Sequence, residues 1–225
     1  MSPGIRAARG GDARAAHGSP AVAPAGHAER TGAERAHHRI FIAVALAPVL
    51  REAIALIQHR LAVAGADLRW IPPENLHLTL KFLGAVTTPR LARVTEAVHD
   101  AASRTRSFTI TLGGLGAFPS ARRPRVVWVG VTEGADRLST LAGDLDIELG
   151  RRRFPREHRP FQSHLTIARV RSGGPPPDLS ELLAGLHDLA LGSQPVEAMF
   201  VMESMLHPSG AIYHPVEEAV LRGTG

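Results

Sequence analysis

The sequence predicts an α+β fold made of two similar lobes around a shared cleft. Three observations carry that prediction. NLHLTLKFLG, with His77 and Thr79, and QSHLTIARVR, with His164 and Thr166, repeat one arrangement: a histidine, an apolar residue, a threonine and a second apolar residue. The two histidines stand 87 residues apart, with helix-like and strand-like stretches alternating on both sides of each, as an internal duplication produces. A chain of 225 residues with 44% hydrophobic side chains has enough apolar surface to bury a core beneath both lobes.

Residues 1 to 37 are Ala, Gly, Arg and Pro with little apolar periodicity, and are expected to form a disordered tail ahead of one bilobal unit at 38–225. The tail lacks the continuous apolar segment, roughly 7 to 15 residues, of a secretory signal. RIFIAVAL, from Arg39, reads as a buried strand. Pro48 suits the first turn of a helix, and Val49, Ile54, Leu56, Ile57, Leu61 and Val63 supply its apolar stripe down to Gly65. Pro72 and Pro73 break any helix before the first histidine motif, and Glu74 and Asn75 turn the chain into that strand.

Leu91, Val94, Val98 and Ala102 have helical spacing from Thr88 onward. FTITLGGLGAF and RVVWVGV predict a hairpin whose connection, Pro119 to Pro124, is basic and expected to be mobile. Leu138, Leu141, Leu145 and Leu149 predict a helix over 136–152, after which RFPREHRPFQ leads into the second histidine strand. A Gly and Pro linker at 173–177, a helix from Asp178 to His187 and two last strands, PVEAMFVMESML and AIYHPVEEAVL, joined by a turn at HPSG, complete the chain.

Composition removes several classes of chemistry. With no Cys, there are no disulfides, thiolate nucleophiles or sulfur-ligated zinc sites, and the chain suits a reducing cytoplasm. No apolar run approaches the roughly 18 residues of a membrane span, so a cytoplasmic, soluble, monomeric protein is expected. The sequence pI near 11.0 overstates the basic character, because a chain with one Lys and one Tyr titrates little at alkaline pH and a small Arg excess moves the pI far. The formal net charge is only +5, of which the first 36 residues carry +2. Such a balance accommodates an anionic substrate without implying a protein that coats nucleic acid.

The repeated motif carries the chemistry. Given 12 His and 12 Thr, chance predicts roughly 0.1 His-x-Thr triplets with an apolar residue after each polar one, so two copies are on the order of a one per cent accident. In a strand His77 and Thr79 share one face while Leu78 and Leu80 take the other, and His164 and Thr166 repeat this against Leu165 and Ile167. Two imidazoles and two hydroxyls facing one cleft suit metal-free hydrolysis of a phosphodiester: one ring neutral, the other protonated, near neutral pH. Lys81, by alternation, falls on the histidine face as a candidate phosphate neighbour. A metal site is the rival reading; Thr is a poor ligand for the metals that imidazole prefers, and no close His or carboxylate spacing is present.

RIFIAVAL, RWIPPENLHLTLKFLG, GLGAFPSARRPRVVWVGV, RPFQSHLTIARVR and the S-M-L-x-P-x-G-x-x-Y pattern from Ser204 to Tyr213 occur in order over about residues 39 to 217. In this series the chain resembles the two-histidine phosphoesterases, and within them is similar to the bacterial RNA 2',3'-cyclic phosphodiesterases, also described as 2'-5' RNA ligases. It departs from their pattern at Ser163, where relatives usually carry Pro. The resemblance implies two pseudo-symmetric lobes of antiparallel sheet, with outer helices around a central cleft and no cofactor. It further implies that His77 is the proton donor, His164 the proton acceptor, and Thr79 and Thr166 the phosphate ligands, giving a 2'-phosphate from RNA with a 2',3'-cyclic phosphate end. Arg169 would contact phosphate or base, and Phe41 resembles an aromatic used for base stacking. Arg122, Arg123, Arg125 and Arg151 to Arg153 are candidates for tracking an RNA backbone. Reversible 2'-5' ligation of RNA ends and a non-catalytic nucleotide- or RNA-binding module are the alternative functions.

Overall fold

The computed structural model describes residues 37–63, 68–171, 175–208 and 210–223. The expected tail up to residue 36, the helix stop at Gly65, residues 172–174 around the Gly and Pro linker, and Ser209 of the last turn lie outside the described residues. The elements are β1 (His37–Ala45), α1 (Pro48–Val63), β2 (Leu68–Trp70), a 3-10 turn (Pro73–Asn75), β3 (His77–Thr87), α2 (Thr88–Arg104), β4 (Phe108–Phe118), β5 (Val126–Glu133), α3 (Ala135–Arg151), β6 (His164–Val170), α4 (Ser180–Ala184), β7 (Ala190–Val196), β8 (Ala198–His207) and β9 (Gly210–Val220).

The strands pair antiparallel in the order β7-β4-β5-β6-β3-β1-β8-β9, with β2 added to β6. This order has a symmetric centre. Two four-stranded halves, β6-β5-β4-β7 and β3-β1-β8-β9, each place their histidine strand on the inner edge, and the two edges pair at Leu78 and Leu165. Both leucines are buried, so the junction between the halves is an apolar seam continuous with the core of each. The α+β arrangement of antiparallel sheet and helices is the one expected.

The halves are interlocked. α2 and α3 pack on each other, and α2 lies against β8 and β9; α1 instead crosses to β7, in the other half. The crossing is fixed by Gln194 of β7, a buried side chain whose carbonyl oxygen accepts from Ala47 N–H at 2.7 Å and whose amide donates to the Ala45 carbonyl at 2.9 Å. Between α2 and α3, the buried carboxylate of Glu148 accepts hydrogen bonds from Arg104, Arg151 and Arg152, and Arg152 also reaches Asp100. Burial opposes ionisation of Glu148, but these guanidinium groups more than offset it and hold its pKa below the usual carboxylate range.

Several elements differ from expectation. α1 buries Leu50, Ile54, Ile57 and Leu61, whereas Val49, Leu56 and Val63 of the expected stripe are exposed. The buried set follows 4-3-4 spacing along one arc, and the exposed three repeat every seven residues on another. The helix expected at 178–187 is shorter, since Gly185 caps α4. The first of the two last strands is two strands: Pro195 and Val196 finish β7, and β8 begins at Ala198. β7 escapes detection because Gly192, Ser193, Gln194 and Pro195 have no strand composition; it lies at the sheet's edge, where Pro is tolerated. β2 spans only three residues, too few for a periodic signal. The β4–β5 connection is tied down, with Leu179 N–H donating to Ala121 O at 2.8 Å.

Candidate active site

β3 and β6 each begin on their histidine. The strands meet antiparallel at the Leu78–Leu165 pair, the middle of both motifs, so the two histidine–threonine pairs flank one junction. With both leucines turned into the core, the four polar side chains share the opposite face. That face lines a cleft of about 1060 Å³, to which Lys81, Phe82, Arg156, Arg159, Arg169 and Tyr213 also contribute.

The two imidazoles are held alike. Nδ1 of His77 lies 2.8 Å from the carbonyl oxygen of Asn75, and Nδ1 of His164 lies 2.8 Å from that of Gln162. A carbonyl only accepts, so each Nδ1 carries a hydrogen and each Nε2 is left for the cleft. Each ring also meets an aromatic edge-on, Tyr213 for His77 at 5.3 Å and Phe118 for His164 at 5.1 Å between centroids. Around His77 there is more. Phe41 lies 4.7 Å from it, and the burial this brings pushes its pKa below the ordinary imidazole value. The Asn75 carbonyl opposes that shift and the Arg169 guanidinium adds to it.

Lys81 lines the cleft, but its ammonium is committed: Nζ bonds Asp146 Oδ1 at 2.7 Å and the Pro155 carbonyl at 3.0 Å. Asp146 also accepts from Arg156 Nε at 2.5 Å and Glu157 N–H at 3.0 Å. Lys81 is thus an anchor for the segment ahead of His164 instead of a phosphate ligand. Phe41 is corrected as well. It is 3% exposed, beneath His77 and Tyr213, so its ring supports the imidazole and offers no face to a base. Arg169 stands at the cleft. Arg122, Arg123 and Arg125 are exposed on the β4–β5 connection and are not among the cleft-lining residues, and Arg151 and Arg152 belong to the α2–α3 ion network. Among the described residues no three His, Asp or Glu side chains gather as metal ligands.

Sequence reasoning did not single out Asn75, Phe82, Phe118, Tyr213, Arg156 or Arg159. Tyr213 and Asn75 lie in the conspicuous segments but acquire roles only through folding, when β9 and the 3-10 turn meet: Asn75 Nδ2 donates to Ala211 O at 2.8 Å.

Comparison with known proteins extends the repeat beyond the motifs. The family described as LigT like phosphoesterase matches the chain twice, over residues 44–128 and 129–213. The chain belongs to the LigT-like phosphoesterase family. The two matches abut, and each contains one histidine motif, as a duplication requires. A relative from Methanothermobacter thermautotrophicus named RNA 2',3'-cyclic phosphodiesterase is 38% identical over 179 residues, 80% of this chain and 96% of its own. One of the same name from Aeropyrum pernix is 35% identical over 172 residues, 76% and 97% of the two chains. Among solved LigT-like structures, the E. coli LigT complex with 3'-AMP has a TM-score of 0.65 at 27% identity, covering 83% of this chain and 99% of that one. A structure from Thermus thermophilus gives a TM-score of 0.70 at 29% identity and covers 83% and 100%. No described helix is long and apolar enough to cross a membrane.

Proposed function

We propose that this phosphoesterase hydrolyses the 2',3'-cyclic phosphate at an RNA end to a 2'-phosphate, using its two imidazoles as acid and base without a metal. The observation that carries the reading is the convergence of His77, Thr79, His164 and Thr166 on one cleft, on either side of the Leu78–Leu165 pair. The names of the relatives support the substrate. The expected setting is a cytoplasmic monomer, with residues 38–225 as one bilobal unit.

In this reading the phosphate sits between the two histidines. His164, neutral and with Nε2 free, takes a proton from water as the water oxygen bonds to phosphorus. His77, protonated, gives its Nε2 proton to the departing ribose O3' as the P–O3' bond breaks. The proton taken by His164 and the proton lost by His77 balance, so the pair returns to its starting state by exchange with solvent. Thr79 and Thr166 donate to the nonbridging oxygens and stabilise charge as it builds on them. Arg169 adds a positive charge at the cleft, favourable to the phosphate and unfavourable to protonated His77 in its absence. The bound phosphate opposes that effect and favours the His77 proton.

The test is an oligonucleotide ending in a 2',3'-cyclic phosphate, supplied with and without a second strand bearing a 5'-hydroxyl. A 2'-phosphate product formed at the same rate in EDTA supports the proposal. A joined 2'-5' product would favour the ligation reading, a 3'-phosphate would reverse the histidine roles, and binding without turnover would leave a nucleotide-binding module.

A further inference from the structure

The two imidazoles share a main-chain anchor but differ in what packs behind them. His77 is backed by Phe41 and Tyr213, which also touch each other, their ring centroids 5.0 Å apart. His164 has a single aromatic neighbour among the described residues, Phe118. Its partner across the sheet is Gly130, which offers no side chain to the ring. Phe118 is in turn backed by Trp128, at 5.3 Å between centroids.

Strand pairing fixes where that indole lies. Trp128 pairs with Thr166 across β5 and β6, while Val127 and Val129 on either side of it are buried in the core. Paired residues project to the same face of a sheet, so Trp128 stands on the face of Thr166 and His164. Phe118 lines the cleft and Trp128 does not. The indole is therefore a layer beneath the cleft surface that reaches the imidazole through Phe118.

Two glycines make room for it. A Cβ at Gly116, its partner on β4, would come within 2.2 to 2.8 Å of three indole carbons, and one at Gly130 would stand 3.4 Å from a fourth. The indole N–H is enclosed and has no hydrogen-bond partner among the described residues. A buried, unpaired donor opposes stability. Phenylalanine would fill this layer without that penalty, but its single ring is shorter than the bicycle that spans from Gly130 to Gly116.

We infer that Trp128 is a positioning residue for His164, holding Phe118 against the imidazole so that Nε2 keeps its aim into the cleft. The hydrogen bond to Gln162 fixes Nδ1 but leaves the ring free to swing about it, and the backed Phe118 stops that swing. The inference rests on the proposed reaction and assigns the support of its base.

Trp128→Phe keeps an aromatic ring, removes the unpaired N–H and shortens the support. For an oligonucleotide 2',3'-cyclic phosphate, kcat is expected to fall about 3- to 30-fold with KM little changed, while the melting temperature holds or rises. The imidazole Nδ1–H proton resonances, assigned with His77→Ala and His164→Ala, give a second readout: the His164 signal broadens in Trp128→Phe and the His77 signal does not. Gly116→Ala, whose methyl would meet the indole, should reproduce these effects. The double variant should lose little more than the larger single loss, because both changes act on one ring. Unchanged kcat and an unchanged His164 signal in Trp128→Phe overturn the inference. A lowered melting temperature with both histidine signals broadened overturns it too, by making Trp128 a general packing residue. The resonances are read without substrate, so a wild type inactive on the cyclic phosphate would sink the proposed reaction while this comparison still decides the role of Trp128.

Discussion

Asn75 holds His77 with its main chain and the β8–β9 hairpin with its side chain. Its carbonyl accepts the His77 Nδ1 hydrogen at 2.8 Å, and its amide donates to Ala211 O at 2.8 Å, two residues from the Tyr213 ring that meets His77 edge-on. Asn75→Ala keeps the carbonyl and removes the tie to β9. The expected result is a fall in kcat of about 10-fold, from looser orientation of the imidazole, and a loss of about 1 kcal/mol in stability. Steady-state kinetics and urea unfolding measure the two, and a stability loss with unchanged kcat would reduce Asn75 to a structural clasp.

His77→Ala and His164→Ala should each lower kcat by about 10²- to 10⁴-fold, the range of a lost general acid or base. Both side chains sit on the cleft face and outside the apolar seam, so circular dichroism and the melting temperature should change little. Thr79→Val and Thr166→Val, near-isosteric and without the hydroxyl, should cost about 10- to 10²-fold each, up to the value of a lost oxyanion donor. A threonine variant with wild-type kcat would place its hydroxyl outside the phosphate site.

What could be seen in the sequence was whatever repeats locally. The histidine face of β3, the leucine ladder of α3 and the hairpin β4–β5 are local patterns and appear as expected. What escaped was set by strand pairing. The irregular register of β3 against β1, with shifts at Ile42/Ala43 and Ile40/Phe41, has no local sequence signal. Phe41 follows the same logic in reverse: its burial arises because β8 and β9 bring Tyr213 over it. Lys81 had the correct face, yet the partner that occupies it lies 65 residues away on α3.

The Lys81–Asp146 pair should matter more to stability than a surface ion pair. Its side chains are only 9% and 11% exposed, and removing one partner of a buried pair typically costs about 3 to 5 kcal/mol. Lys81→Met should fall near the lower end, because Arg156 and the Glu157 N–H still face Asp146. Burial raises the Asp146 pKa, but Lys81, Arg156 and Glu157 N–H more than offset it and the pKa lies below the usual value. The carboxylate therefore stabilises the fold above its unfolded pKa, and this contribution is lost as pH falls through the folded value. Urea midpoints for wild type and Lys81→Met should differ at pH 7 and converge in acid; a constant gap would put the energy in packing instead of charge.

The pH dependence assigns the histidine roles. His77 has a pKa lowered by burial and by Arg169, so the folded state binds its proton less readily than the unfolded chain does. Its contribution to stability is full above the ordinary imidazole pKa and is lost as pH falls from there toward the folded value. In catalysis, kcat/KM reports the free enzyme and kcat the complex. If His77 is the acid, the alkaline limb of kcat/KM should lie below the usual imidazole value, and the limb of kcat should lie higher, because the bound phosphate favours the imidazolium. Arg169→Gln should then move the alkaline limb of kcat/KM upward even as KM rises, since it removes a positive charge beside His77 while also weakening phosphate binding. With the roles reversed, the same substitution would move the acid limb, because the lowered pKa would belong to the base. Profiles of both parameters for wild type and Arg169→Gln separate the two assignments independently of product position.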